Sequence, residues 1–585
     1  MRFSGIAASP GIGIGPIFRY EREEIAVRDT LVPAGAADAE IERFLHALEL
    51  SRRDLARIRD SIAAELGENE AKIYDTHLLI LDDPELRRAI EEGVRRDGRN
   101  AASVFRGYMA GVAAQMGAIE NEYLRERRAD VVDVERRVLR HVLGESGRTR
   151  TALSEPVILV AHELGPSEIA LLDRDRVLGF VTEVGGRTAH AAIVARGRGI
   201  PAVLSVQGVM SQVHAGDQGA VDGYAGIVEI NPDAETSRHF RARYALYEEE
   251  ARTLRSIRGE AAITLDGRTV ELGANIELPN EIEDVLASGA DGVGLFRTEF
   301  FYLNRYALPT EEEQYAAYRE AAERLNPRPV IFRTMDLGGD KVASYLGITP
   351  EANPFLGWRG IRFALHHPEM FRTQIRAIYR ASGHGRARIM FPMVASEEEL
   401  VAACRLCDEV AEELRRSGLP HDPQLERGVM VETPSAVWMA DVLARHVRFF
   451  SIGSNDLTQY TLAIDRDNAR LAHLYEPLDP AVLRSIHHTV EAGHAAGCWV
   501  GICGEMAGDP ANAVLLVGLG VDELSMSSFD LPRVKAAIRS VRREVAADIA
   551  RDALAQSCAR AVKDLLRDRA ESLLPSFLVA RRSPA

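Results

Sequence analysis

The chain has little cysteine, and what it has is an odd number: Cys404, Cys407, Cys498, Cys503 and Cys558 are five thiols spread over 585 residues. That pattern excludes a disulfide framework and fits a reducing compartment. Cys404 and Cys407 form one CxxC in EELVAACRLCDEVAEEL. Apolar residues recur there at helical spacing and no second ligand pair follows, so the two read as helix-packing cysteines and not as a zinc or redox centre. Long apolar runs are also missing. The start, MRFSGIAASPGIGIGP, is broken by Gly and Pro where a signal peptide needs its hydrophobic stretch. No other run approaches the length of a membrane-spanning helix. The expected location is therefore the cytoplasm, with no membrane insertion. Basic excess is lacking too: 71 Lys and Arg against 87 Asp and Glu leave a net charge of -16, which argues against a general affinity for nucleic acid or anionic membrane. A docking surface for a basic protein is compatible with it.

What the chain does have is length beyond one hydrophobic core, so two to four domains are expected. From about Ala36 to Leu143 charged and apolar residues alternate at three- and four-residue spacings, as in AEIERFLHALELSRRDLARIRDSI, and predict helix after helix. From Pro156 short Val- and Ile-rich segments separated by Gly, Pro and Asp predict a compact α/β domain, which the similar first twenty residues are expected to join. The expected boundaries are 1–35 with 144–232 for the α/β domain and 36–143 for an inserted helical domain. A polar linker helix over 233–260, a domain over 261–575 and a tail over 576–585 follow. In the last large region VELGANI, GVGLFR, VIFRTMD, ARIMFPMV, GVMVET, FFSIGSND, CWVGICGE and DELSM recur with helical stretches between them. Eight such segments predict a (β/α)8 barrel. Most end in a polar or reactive side chain: Arg297, Asp336, Glu432, Asn455 with Asp456, and Cys503 with Glu505. Barrel enzymes place their chemistry at those strand ends.

In GGRTAHAAIVAR, His190 stands among alanines that offer only backbone to its ring nitrogens, which leaves one nitrogen open to a visitor. Gly185 and Gly186 admit close backbone approach, and Thr188 can cap a following helix whose first amides attract an anion. On these local grounds His190 is either a phosphoryl-carrying nucleophile or a structural histidine after a common Gly-Gly turn. The arginines weigh on that choice. Arg297, Arg333, Arg359 and Arg466 lie at or beside strand ends, and guanidinium forks there suit a small polyanion. Glu432 in MVETPSAV and Asp456 in GSNDLTQ offer two carboxylates, few enough to hold magnesium while leaving room for water and substrate oxygens. Either could instead cap a helix.

The ordered set GGRTAHAAIVAR, GLFRTEF, FRTMDLGGDK, NPFLGWRGIR, VMVETPSAV, FFSIGSNDLTQYTLAIDRDN and GICGEMAGD resembles Enzyme I of the bacterial sugar phosphotransferase system. The likeness runs from SGIAASPGI to DELSMS. It implies a multidomain α/β chain: a swivelling phosphohistidine domain with an inserted helical bundle that docks the phosphocarrier, a linker helix and a phosphoenolpyruvate-binding (β/α)8 barrel. It implies that His190 takes the phosphoryl group from phosphoenolpyruvate and hands it to a histidine-containing phosphocarrier protein, with release of pyruvate. By motif match it makes Arg297, Arg333, Arg466 and Asn455 substrate-binding, Glu432 and Asp456 magnesium ligands, and Cys503 the acid that protonates the leaving enolate. Arg359 matches a further position of less defined role, and a homodimer through the barrel is implied. Two departures stand out: alanines flank His190 where relatives often have Ser or Thr, and Ile169 lies where a hydroxyl residue is common. A nucleotide-dependent dikinase would need a nucleotide-binding domain, for which the N-terminal portion is too short and too helical, and no P-loop occurs. A non-catalytic sensor would be signalled by loss of His190, Cys503 or a metal carboxylate, and all are present.

Overall fold

Strand pairing explains why the Val- and Ile-rich segments are scattered along the sequence. In a computed structural model that describes residues 1–20, 25–33, 35–66, 68–117, 128–144, 155–164, 176–185, 195, 199–214, 216–302, 307–338, 351, 353–466, 468 and 470–579, the chain divides into two compact units, 1–248 and 249–585. The first holds an eight-stranded mixed sheet. Its strands are β1 (Arg2–Ser4), β2 (Ile6–Ser9), β3 (Ile12–Tyr20), β4 (Val157–Ala161), β5 (Val177–Thr182), β6 (Ala202–Leu204), β7 (Gln218–Asp222) and β8 (Ile227–Ile230). They lie in the order β1-β8-β7-β3-β4-β5-β6-β2. β3 pairs in parallel with β4 across the intervening helical block. Every residue of VILVA in β4 is buried. Leu159 and Ala161 join one apolar cluster and Ile158 and Val160 another, as a strand covered on both faces requires.

The block between β3 and β4 forms long helices, among them Ala37–Leu66, Pro84–Asp97, Ala101–Gly117 and Arg128–Val142. They share a separate core that includes Phe44, Leu55, Phe105, Val131 and Val138. Asp83 starts the second of these by accepting a hydrogen bond from the Glu85 amide, with Pro84 in the first turn. A helix over Ala234–Ser256 follows the sheet. Within the first unit, its Phe240 and Tyr247 pack on Ile12, Ala220 and Tyr224. Arg243 pairs there with the buried Asp222. Within the second, Glu250 pairs with Arg533 at 3.0 Å, and Leu254 and Ile257 join Ala536 and Phe577.

The second unit is the expected barrel. β9 (Glu271–Ile276), β10 (Gly292–Arg297), β11 (Val330–Arg333), β12 (Ala387–Phe391), β13 (Glu426–Val431), β14 (Phe449–Gly453), β15 (Trp499–Cys503) and β16 (Glu523–Met526) are all parallel and close on one another. Each overlaps one of the eight segments named above, and only β13 starts ahead of its segment, by two residues. Helices with strong start signals separate them: Thr310 with Glu313 and Ser396 with Glu399 form reciprocal capping boxes. Cys404 and Cys407 lie on the helix Glu397–Arg416, where Cys407 is fully buried in the barrel's outer core. Among the described residues no helix is long and apolar enough to cross a membrane.

Candidate active site at the carboxyl ends of the barrel strands

Because the eight strands are parallel, the residues at their carboxyl ends share one mouth. β10 and β11 end on Arg297 and Arg333, β13 runs into Glu432, and β15 ends on Cys503. β14 passes directly into the helix Ser454–Leu462, whose first turn carries Asn455 and Asp456, where the positive end of the helix dipole favours a carboxylate.

Two buried arginines organise this mouth. Arg359 is 1 % exposed and spans two carboxylates: Nε and Nη2 donate to Asp336 at 3.0 Å each, and Nη1 donates to Asp456 at 2.8 Å and to the Tyr460 hydroxyl at 3.3 Å. Arg333 Nη2 donates to the fully buried Glu299, and its Nη1 lies 3.3 Å from Asp336. Burial alone would weaken the charge on each guanidinium. The carboxylates of Asp336 and Asp456 outweigh it at Arg359, and those of Glu299 and Asp336 at Arg333, so both are held above their usual range. Arg333 Nε is buried without a hydrogen-bond partner. Behind this pair a side-chain network fixes the backbone. Thr298 Oγ1 donates to the Arg333 carbonyl at 2.7 Å, and Gln374, wholly buried, donates to Thr298 at 2.8 Å and accepts from the Met335 amide at 2.9 Å.

Glu432 is the least satisfied acid of the group. One carboxyl oxygen accepts from the Met393 amide at 2.6 Å, while the other is buried with no hydrogen-bond partner. Burial, then repulsion from Asp456 and Asp336, pushes this carboxyl up to about 8 against the pull of Arg359 and Arg333. A divalent cation would relieve that repulsion and occupy the orphaned oxygen, so Glu432 with Asp456 suits a hard metal ion that keeps most of its remaining positions for water or substrate oxygens. Among the described residues no group of three or more His, Cys, Asp or Glu is arranged to hold a metal.

Cys503 is 3 % exposed, and burial pushes its thiol up to about 12 although the Ser451 hydroxyl pulls it back down. It therefore holds its proton at neutral pH. Gly504 follows with φ +111°, and a Cβ there would lie 2.4 Å from Ser454 Oγ and 3.0 Å from Asn455 Oδ1, so only glycine fits this turn. Asn455 Oδ1 accepts from the Glu505 amide at 3.4 Å.

The structure thus brings Arg333, Glu432, Asn455, Asp456 and Cys503 to one end of the barrel, with Arg359 bridging the acids. Arg297 stands at the same rim, half-buried, with Nη1 donating to Glu277 at 3.0 Å. Arg466 lies after the helix Ser454–Leu462, where its amide donates to Gln459 Oε1 at 3.2 Å. His190 and Ile169 lie outside the described residues. Sequence reasoning assigned no role to Glu299, Asp336 and Tyr460. The first two sit inside the same motifs as the arginines, in GLFRTEF and FRTMDLGGDK, where an acid two or three residues past each arginine was the available signal.

Family models match three stretches of the chain: the N-terminal region of PEP-utilising enzymes over 4–127, their mobile domain over 153–226 and their PEP-binding domain over 251–543. The chain is 43% identical over 563 residues to the phosphoenolpyruvate-protein phosphotransferase of Bacillus sp. (strain S), covering 96% of this chain and 97% of that one. The proteins of the same name from Geobacillus stearothermophilus and Staphylococcus carnosus (strain TM300) are 43% and 41% identical, with 96% and 97% of this chain and 97% and 99% of theirs covered. A solved structure described as the NMR solution structure of Enzyme I (nEIt) is 36% identical over 42% of this chain and 99% of that one, with a TM-score of 0.36.

Proposed function

The chain belongs to the phosphoenolpyruvate-protein phosphotransferase family, and from that premise we propose how its residues divide the reaction. The reaction is phosphoryl transfer from phosphoenolpyruvate to a histidine of the chain and on to a histidine-containing phosphocarrier protein, with pyruvate released. The nucleophile is His190: a neutral imidazole nitrogen attacks phosphorus in line, the bond from phosphorus to the enol oxygen breaks, and the phosphoramidate keeps enough transfer potential to be handed on. The observation that carries this reading is the convergence of Arg333, Glu432, Asp456 and Cys503 at the ends of four parallel strands.

Arg297, Arg333 and Arg466, with Asn455, hold the phosphate and carboxylate of the substrate, and their charge matches the negative charge spread over a loose transition state. The Nε of Arg333, buried without a hydrogen-bond partner, leaves that guanidinium with one uncommitted donor. Arg359 has its guanidinium committed to Asp336, Asp456 and Tyr460, so it orients the acids and does not grip substrate. Glu432 and Asp456 would hold magnesium, which when bound would supply Lewis-acid stabilisation of negative charge. Cys503 gives its thiol proton to the methylene carbon of the enolate, and the ketone formed makes the release of pyruvate favourable. The block over 36–143 docks the carrier, whose basic face suits an acidic partner. The α/β domain swings on the linker helix so that one imidazole serves both partners. The protein works in the cytoplasm as a homodimer joined through the barrel.

The test is to incubate the chain with magnesium and phosphorus-labelled phosphoenolpyruvate without ATP. Acid-labile, base-stable label is expected on the wild type, absent from His190→Ala, and passed to the carrier. Label that arrives only with ATP contradicts this reading and favours a dikinase. Ligand binding without any label favours a sensor.

A further inference from the structure

The barrel interior holds a second acid for which the reaction above has no use. Glu523 is the first residue of β16, 4 % exposed, and among the described residues neither of its carboxyl oxygens has a hydrogen-bond partner. The chain makes room for it with three glycines from three strands. A Cβ on Gly273 or Gly501 would lie 2.3 Å from one of its oxygens, and a Cβ on Gly294 would lie 2.1 Å from it and 2.4 Å from Ser525 Oγ. A carboxyl buried in such a cradle without a hydrogen-bond partner is favoured as the neutral acid.

Its position relates it to Cys503. β15 and β16 pair so that Gly501 lies beside Glu523 and Cys503 beside Ser525, which puts the thiol one inward-facing layer nearer the mouth, about 7 Å along the strand. The Glu523 carboxyl is close enough to add a little to the upward shift of the Cys503 thiol, after burial and Glu432. Of the neighbouring hydroxyls, Ser525, beside Cys503 in the strand register, donates to Asn275, and Ser451 lies beside the thiol. In the opposite direction a cleft leads outward past Gly273, Gly294, Glu271, Asp291 and Arg388, and Glu271 and Asp291 are exposed at the amino-terminal end of the barrel. The charged groups facing Glu523 are thus Glu271 on β9, Asp291 before β10 and Arg388 on β12, the last already paired with Glu426 at 2.7 Å. Burial, then Glu271, pushes the Glu523 carboxyl up to about 8 against the pull of Arg388.

We propose that Glu523 holds the proton that restores the Cys503 thiol after each turnover, and that it draws its own replacement from solvent through the cleft at the amino-terminal end of the barrel. The inference rests on the assignment of Cys503 as the acid. The balance is simple. The S–H proton of Cys503 forms the new C–H bond of pyruvate, the thiolate takes the O–H proton of Glu523, and the Glu523 carboxylate takes a proton from water. The route approaches from the end away from substrate, so it stays open while the mouth is occupied. Glu523 acts through Cys503 and is a proton-supplying residue, not one that touches substrate.

The experiment uses the full chain with magnesium, phosphoenolpyruvate and the carrier, and compares wild type with Glu523→Gln and Cys503→Ala. In E523Q the rate of later turnovers relative to the first is expected to fall by about 10²-fold, the lower end of the scale for a lost proton transfer, and the alkaline limb of the pH profile to move. Infrared difference spectra near neutral pH are expected to show a protonated carboxyl in wild type that is missing in E523Q, a readout that does not depend on activity. An ionised Glu523 in wild type, or an E523Q profile superimposable on wild type, overturns the proposal. If C503A is impaired and E523Q is not, this proposal alone falls. If C503A releases pyruvate at the wild-type rate, the assignment of Cys503 falls with it.

Discussion

The mouth of the barrel and its interior each bury a carboxyl pushed up to about 8, yet they do so by different means. Glu432 sits in a crowd of charge: Arg333, Arg359, Asp336 and Asp456 surround it, and burial is joined by the repulsion of two acids. Glu523 sits in a gap made of glycine, with three strands giving up their side chains to admit it and with Glu271 and Asp291 as its acidic neighbours. The first arrangement is unbalanced in a way that a cation corrects. The second is balanced once the carboxyl keeps its proton. Two acids with the same titration are therefore expected to answer differently to metal, to pH and to substitution.

The largest difference is expected at the mouth. Arg333→Ala and Glu432→Gln should each lower kcat by about 10²- to 10³-fold, the scale seen when one preorganised charge contact to a transition state is removed. E432Q should also lose its dependence on magnesium concentration, and a steady-state titration with the metal checks this. A smaller loss, about 10²-fold, is expected for Cys503→Ala in pyruvate release, with formation of phosphohistidine reduced less, as rapid-quench measurement of both products would show.

In the interior the effect is on stability. The ordinary value of a Glu carboxyl is 4.5, and Glu523 is raised from there to about 8. The folded state therefore holds a proton that the unfolded state has lost, and the contribution of Glu523 to stability is full below about 4.5 and is lost as pH rises through about 8. Denaturation curves across that window should show wild type losing stability as pH rises and E523Q losing less. Gly294→Ala should destabilise by about 1–3 kcal/mol through overpacking against Glu523 and Ser525, with no change in magnesium dependence. Smallest of all, Cys404→Ala on the outer helix, where the side chain is only partly buried against the core, should cost no more than about 1 kcal/mol and leave activity alone, whereas a lost activity would point to a metal or redox role for the CxxC pair.

The same contrast marks what the sequence discloses. All eight barrel segments were legible, because a short apolar run ending in a polar residue is what a strand with chemistry at its tip looks like. Arg333, Glu432, Asn455, Asp456 and Cys503 were nameable one by one from their motifs, whereas Glu299 and Tyr460 were not. Nor was the pairing at the mouth legible: that Arg359 clamps Asp336 and Asp456, far apart along the chain, depends on strand order and on a loop returning to the mouth. Glu523 was hidden for a further reason. In DELSM it looks like the charged start of a strand, and its burial is decided by Gly273, Gly294 and Gly501, three residues on other strands whose meaning is the absence of a side chain.

The most direct test of the central claim, that a barrel-bound donor phosphorylates one imidazole elsewhere in the chain, is phosphorus NMR of the protein after mixing with magnesium and phosphoenolpyruvate. One phosphohistidine per chain in wild type, none in His190→Ala and slowed appearance in Arg333→Ala is the predicted result. A phosphohistidine signal of full intensity in His190→Ala would contradict it.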